Sequence, residues 1–315
     1  MFNLLEECKN AESIGISGHI RPDGDCVGST LSLYLYLKKV YPGKKIQLFL
    51  EPLPDFYQCL KSIEEIRTSY ETNIAKFDVF FAVDCGKDRL GKAETFFDQA
   101  VKKINIDHHI SNTGTGDLNY IVPDASSASE LVYDLIDPVY LDEDIAKTIY
   151  LGIIHDTGVF QYSNTSPKTL ETAAKLIAFG FDFPKLIDET FYEKTYDQNR
   201  ILGETIMNSR IFLNGACIAG IVSKEQMEHY HVGGKELDGI VNQLRITKGV
   251  ECAIFLYELE TGEYKASLRS NSKVNVSEIA GLFGGGGHIR AAGCSLKGTP
   301  EQILDQLVEQ IGKQI

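Results

Sequence analysis

His19, Asp23 and Asp25 stand as H-x-x-x-D-x-D in the turn-rich stretch "GHIRPDGDC", directly after the β-branched run "SIGIS". Further along, Asp84 ends the apolar run "VFFAV", Asp107, His108 and His109 end "KKINI", and Asp156 closes "TIYLGIIHD". Acids and imidazoles thus recur where apolar elements stop. Carboxylates brought together raise one another's pKa values and resist ionisation unless something neutralises them. Asp23, Asp25, Asp84 and Asp156 would supply four negative charges, matched by two divalent cations, and imidazoles from His19 and His108 would complete a hard nitrogen–oxygen ligand set. That set suits manganese, with magnesium, iron or zinc as alternatives. Two metals about 3.5–4 Å apart would activate a hydroxide nucleophile and stabilise the charge of an in-line phosphoryl displacement. Asp23 and Asp25 flank Gly24 in a tight turn and can face different metals, while a strand-end carboxylate such as Asp84 can bridge both.

These residues need a scaffold that gathers them. "SIGISGH", "KIQLFL", "FDVFFAVDCG", "VKKINIDHH" and "NYIVPD" read as strands, several of them apolar enough to be buried on both faces. "CVGSTLSLYLYLKKV", "SSASELVYDLI" and "DEDIAKTIYLGIIHDTG" read as helices. The alternation predicts an α/β layer with a mainly parallel sheet flanked by helices. In such a sheet the carboxyl ends of neighbouring strands form one crevice, where loops distant in sequence converge. The charged stretch 181–205 carries a helical pattern without a strand. Beyond it, hairpins are expected through Asn214–Gly215 and Thr261–Gly262, with helices at "KELDGIVNQLR" and "NVSEIAGL". We therefore expect a catalytic domain over residues 1–185, a helical linker over 186–205 and a smaller α+β domain over 206–315, with the active-site cleft between the domains.

Composition narrows the class of function. The 315 residues are 43% hydrophobic and 24% charged, as in ordinary soluble globular proteins. No apolar run is long enough to span a bilayer, and "MFNLLEECKN" lacks the pattern of a secretory signal. Seven cysteines fall singly, without a C-x-x-C pair, which fits reduced thiols in a cytoplasmic protein and disfavours a thiolate metal site. A net charge of −13 argues against sequence-blind binding of long duplex nucleic acid, but not against a short nucleotide held locally. No G-x-G-x-x-G opens a helix after an early strand, which removes a dinucleotide-binding oxidoreductase from consideration.

"GHIRPDGDCVGS", "AVDCG", "NIDHH" and "GIIHDTGVF" resemble, in order, the four motifs of the DHH phosphoesterase superfamily. "SLRSNSKVNVSEIAGLFGGGGHIRAAG" resembles the hallmark of the DHH-associated C-terminal domain, its Gly-Gly-Gly-His-x-x-Ala-Ala-Gly core intact. The two-domain layout is similar to that of bacterial nano-RNases. These hydrolyse short oligonucleotides and remove the 3′-phosphate of adenosine 3′,5′-bisphosphate, whereas relatives of similar length act on cyclic or linear dinucleotides. The resemblance implies His19 and Asp23 on one metal, Asp25, His108 and Asp156 on the other, and Asp84 between them. It makes His109 a donor to the scissile phosphate. Asp107 would either orient His108 through its other ring nitrogen or brace the loop. In the second domain, amides at Gly285, Gly286 and Gly287 would approach a phosphate or ribose, with His288 and Arg269 adding contacts. Arg290 receives no role. His155, His229 and His231 are expected to be structural or surface residues. The resemblance also suggests a homodimer.

Overall fold

The computed structural model describes residues 3–260 and 262–315, and the chain divides into two compact units, Met1–Glu193 and Lys194–Ile315. The first unit is built on β1 (Ser13–Ser17), β2 (Lys45–Phe49), β3 (Val79–Val83), β4 (Lys102–Asp107) and β5 (Leu118–Ile121). All neighbours are parallel, in the order β2-β1-β3-β4-β5. The helices are α1 (Leu4–Cys8), α2 (Gly24–Val40), α3 (Glu94–Gln99), α4 (Ala128–Leu135), α5 (Glu143–Asp156), α6 (Pro167–Ile177) and α7 (Phe183–Ile187). Alternate residues of β3 feed two separate cores. Val79, Phe81 and Val83 pack with Leu31, Leu131 and Ile149 from α2, α4 and α5. Phe80 and Ala82 pack with Phe49, Phe77 and Phe97 on the other face. A parallel strand covered on both sides has no polar face, which explains the unbroken apolar runs.

Two glycines let helices α2 and α5 cross closely. A Cβ on Gly28 would lie 2.7 Å from the Gly152 backbone, and a Cβ on Gly152 would lie 1.8 Å from Ser129 Oγ. The crossing brings the first turn of α2, which holds Asp25, beside the last turn of α5, which ends in Asp156.

The second unit comprises α8 (Tyr196–Met207), β6 (Arg210–Phe212), β7 (Cys217–Val222), α9 (Lys224–His229), α10 (Ile240–Arg245), β8 (Cys252–Glu260), β9 (Glu263–Ser270), α11 (Val276–Leu282), β10 (Gly286–His288), β11 (Ala291–Lys297) and α12 (Pro300–Gly312). Its sheet runs β10-β11-β9-β8-β7-β6, antiparallel except between β7 and β8. Both expected hairpins form; Gly262 supplies a positive φ of 74°, whereas Thr261 lies outside the described residues.

The fold class agrees with the sequence reading, and several elements depart from it. The helical stretch 181–205 is broken: α7 runs into a π-helical turn, Asp188–Tyr192, and α8 restarts under a Thr195 capping box. Within "KELDGIVNQLR" only Ile240–Arg245 is helical, because Gly239 at φ 92° interrupts the chain before it. The pair β10–β11, which carries the glycine cluster, was not anticipated. Among the described residues no helix is long and apolar enough to cross a membrane.

Candidate metal centre

The end of each central strand delivers one part of the site. Beyond β1 the chain places His19, whose Nδ1 lies 2.8 Å from the Ile20 carbonyl, fixing the ring with Nε2 toward the crevice. Asp23 caps α2, its Oδ1 accepting from the amides of Asp25 and Cys26. Beyond β3, Asp84 has a positive φ of 62°, a conformation unusual for a non-glycine residue and one that clusters at functional sites. Asp107 is the last residue of β4, with His108 and His109 following, and Asp156 is the last residue of α5.

Asp84 stands at the middle of this arrangement. Its Oδ2 lies 3.4 Å from His19 Nε2, and its Oδ1 lies 3.5 Å from His108 Nε2 and 3.7 Å from His109 Nδ1. His19 Nε2 is also 3.5 Å from Asp23 Oδ1, and His108 Nε2 is 3.8 Å from Asp25 Oδ2 and 3.6 Å from Asp156 Oδ2. The six residues expected as ligands are therefore brought together, with Asp84 facing both halves.

The residues fit a pair of cations. Asp84 Oδ1 is buried without a hydrogen-bond partner, a costly state for a carboxylate oxygen unless another group meets it. Donor atoms of Asp25, His108 and Asp156 all lie within 4.8 Å of one another. The electrostatics show the same crowding. Burial, reinforced by Asp84 and Asp156, drives the Asp25 carboxyl well above the usual range. Burial also raises Asp156, to about 6, against the pull of His108. Burial opposes charge on His19 and His108, yet the surrounding carboxylates hold both imidazoles up at about 10. Desolvation by its crowded neighbours opposes the charge of Asp23, whose side chain is nevertheless open to solvent, and His19 lowers it to about 2. The shifts of Asp25, Asp156, His19 and His108 draw protons into the crowded crevice, a role that a divalent cation held by the same groups would take over.

Asp107 makes one clear choice between its two expected roles. Its Oδ1 accepts from the amides of His108 (2.7 Å) and His109 (3.1 Å) and lies 2.8 Å from His109 Nδ1, and its Oδ2 accepts from Asn112 Nδ2. It braces the loop and orients the ring of His109, not that of His108. The Asp107 contact, working against burial, raises the His109 pKa.

Several supporting groups escaped the sequence reading. Both Asp25 oxygens accept amides from the start of α4: Ala128 at 2.6 Å and Ser129 at 2.9 Å. Asn164 donates its side-chain amide to Ser126 O, Asp156 O and Asp156 Oδ2, joining the start of α4 to the end of α5. The serines of "SSAS" signalled a helix start, but not that its amides hold a carboxylate. Nothing in the sequence signals Asn164. His155 packs its ring over Gly24 and lies 3.2 Å from Thr190 Oγ1, consistent with a structural residue.

In the second unit the register places His288, Ala291 and Arg269 opposite one another on three adjacent strands, and hence on one face. Arg269 also donates to the Leu268 carbonyl. The glycines are also constrained by their own packing. Gly285 gives its own amide to Ala280 O, and a Cβ there would lie 2.2 Å from Gly293 O, so packing against β11 dictates this glycine. Gly287, at φ 145°, is likewise pressed against Ala291 and Ala292, and only Gly286 opens onto free space. Arg290 donates to the Val274 carbonyl and tethers the loop before α11.

Comparison with known proteins agrees with this picture. Residues 13–153 match the DHH family N-terminal domain, and residues 216–315 match the DHHA1 domain. The bifunctional oligoribonuclease and PAP phosphatase NrnA of Thermus thermophilus is 32% identical over 95% of this chain and 87% of its own length. The Bacillus subtilis protein of that name is 29% identical over 93% of this chain and 92% of its own. The crystal structure of an exopolyphosphatase-related protein from Bacteroides fragilis superposes with a TM-score of 0.90 at 26% identity, covering 98% of this chain and 94% of the other. With the acids and histidines gathered at the ends of parallel strands and with relatives matching along nearly its whole length, this chain belongs to the DHH family.

Proposed function

We propose that this chain is a metal-dependent phosphoesterase that hydrolyses short oligoribonucleotides and removes the 3′-phosphate of adenosine 3′,5′-bisphosphate, the two activities carried in the name of its NrnA relatives. The observation that carries the chemistry is Asp84, one oxygen toward His19 and the other toward His108. In this reading His19 and Asp23 hold one divalent cation, Asp25, His108 and Asp156 the other, and Asp84 is shared. Bound there, the pair would supply an activated nucleophile and neutralise charge at phosphorus. Manganese is the proposed metal.

The chain's own residues then have distinct tasks. The α4 amides hold Asp25 against the mutual repulsion of the carboxylates. Asp107 occupies His109 Nδ1 and leaves Nε2 to donate to a phosphate oxygen as its charge grows. Residues 1–185 carry the chemistry, 186–205 link, and 206–315 grip the substrate through Arg269, Gly286 and His288. A homodimer in a reducing cytoplasm completes the proposal. Action on cyclic or linear dinucleotides, the alternative expectation, is not favoured by the names of these relatives.

The test is hydrolysis of an RNA ladder from two to about twenty nucleotides, the bisphosphate and cyclic dinucleotides, with Mn²⁺ and with other divalent cations. Rates falling steeply with length, together with bisphosphate turnover, are expected; equal rates on long and short strands would overturn the short-substrate reading. Asp84→Ala is expected to lose both metal and turnover, and its failure to do so would remove the two-metal mechanism.

A further inference from the structure

Behind the crevice, a fully buried acid takes no part in the chemistry described so far. Glu130 lies in the first turn of α4 and is 1% exposed, a place that a glutamate occupies only when its carboxyl group is met by partners. Its Oε2 accepts from Ser126 Oγ and, at 2.8 Å, from Thr169 Oγ1, and its Oε1 lies 3.3 Å from Lys168 Nζ. Ser126 and Thr169 are themselves fully buried. Ser126 precedes the Ser127 cap of α4, and Thr169 belongs to the capping box that opens α6, so one carboxyl group joins the starts of two helices.

The partners of Glu130 lead on to two of the residues expected as ligands. Ser126 turns its carbonyl to Asn164 Nδ2 at 2.8 Å, and the same amide group reaches Asp156 O at 3.1 Å and Asp156 Oδ2 at 3.3 Å. Thr169 Oγ1 accepts from the amide of Ser166, two residues after Asn164. A closed ring of hydrogen bonds and short chain segments therefore joins Glu130, Ser126, Asn164, Ser166 and Thr169, with Asp156 attached through Asn164. From the same start of α4, the Ala128 and Ser129 amides hold the two oxygens of Asp25. The other half of the centre has separate supports: the His19 ring lies against the Ile20 carbonyl, and Asp23 caps α2.

We propose that Glu130 is a positioning residue: touching neither metal nor substrate, it sets where Asp25 and Asp156 stand, and thereby the affinity of the one cation site that these two form with His108. This role presupposes that the crevice is a metal centre. A buried polar network is rigid when every member is satisfied and costly when one is removed. Without the Glu130 carboxyl group, the buried Ser126 and Thr169 hydroxyls lose their acceptor and the starts of α4 and α6 are no longer tied. The loosening reaches Asp25 through the α4 amides and Asp156 through Asn164, but it has no such route to His19 and Asp23.

Binding of Mn²⁺ alone to the full-length protein, followed by the electron paramagnetic resonance of the free ion, provides the test. Wild type is expected to take up two ions. Glu130→Ala should weaken one of them by about 10–100-fold, the usual effect of losing an outer partner of a metal ligand, and leave the other unchanged. Combined with Asp156→Asn, it should cost that ion little more than Asp156→Asn costs alone, because both changes act on one site. Glu130→Gln keeps an oxygen for the two hydroxyls and should restore most of the affinity. Ser126→Ala removes one hydroxyl but keeps the carbonyl that meets Asn164, so it should weaken the same ion by a smaller factor. Wild-type affinity for both ions in Glu130→Ala, or in Ser126→Ala where Glu130→Ala does not fold, would overturn the positioning role while leaving the metal centre standing. So would equal weakening of both ions, the mark of a merely structural residue. Wild type that takes up no Mn²⁺ would overturn the metal centre itself and the positioning role with it.

Discussion

Alanine at Gly152 tests whether the crossing of α2 and α5 sets the position of Asp25. The new Cβ would lie 1.8 Å from Ser129 Oγ, 2.6 Å from Ser129 Cβ and 2.9 Å from Asp25 Oδ1. All are too short, and Ser129 is buried in the first turn of α4, where it cannot swing aside. Overpacking of this severity costs about 3 kcal/mol, the upper end of its usual range. The higher helix propensity of alanine returns about 1 kcal/mol. The net loss of about 2 kcal/mol should lower the melting temperature by about 4–8 °C for a unit of this size. The movement that relieves the clash must also displace Asp25 from the Ala128 and Ser129 amides, so metal affinity should fall along with stability. Melting curves and metal-binding isotherms of Gly152→Ala, Ser129→Gly and the double variant form a cycle. The double variant should recover a large part of both losses, since Ser129→Gly removes the two nearest atoms but keeps the amide. A Gly152→Ala protein with raised melting temperature and unchanged metal binding would refute the reasoning.

Two further outcomes follow from other parts of the molecule. His109→Ala should retain bound metal, because Nδ1 is committed to Asp107, while kcat falls by about 10²–10³, the usual effect of removing one transition-state donor; metal loss matching that of Asp84→Ala would make His109 a ligand instead. In the second unit, Glu251 accepts from the amides of Ser272, Lys273 and Val274 and from Ser272 Oγ. Burial opposes its charge, but these donors prevail and lower its pKa. A depressed folded-state value means stabilisation that is present above the unfolded pKa, about 4.3, and is lost as pH falls through the folded one. Glu251→Gln should therefore be less stable than wild type at pH 7, with the difference in chemical denaturation vanishing in acid; a gap independent of pH would contradict this.

The clustering of the acids and histidines was legible because most of them stand at the end of an apolar run, and the chemistry of crowded carboxylates needs no structure to be stated. The parallel sheet was legible for a related reason: strands such as "VFFAV" have no polar face to offer. What held these residues in place was hidden. The amides of Ala128 and Ser129 are backbone groups, and their use by Asp25 depends on two helices meeting at Gly28 and Gly152, more than a hundred residues apart. Asn164 is one asparagine in a loop until the fold sets it between Ser126 and Asp156. The packing of the glycine cluster was not legible: Gly285 and Gly287 lie so close to the backbone of β11 that a side chain at either would clash with it.

The strained residue at the centre of the site has a consequence for how the first unit folds. Asp84 takes its left-handed conformation directly after β3, which lies between β1 and β4, and its neighbours in the crevice come from as early as His19 and as late as Asp156. Short fragments such as 19–25 or 107–109 hold only part of the donor set, and the full set comes together only in the folded unit. A divalent cation bound in this crevice would then favour the native state. At a free concentration a hundredfold above its dissociation constant, it would deepen the native well by about 2.7 kcal/mol. The supply of such a cation would thereby add to the stability of the first unit.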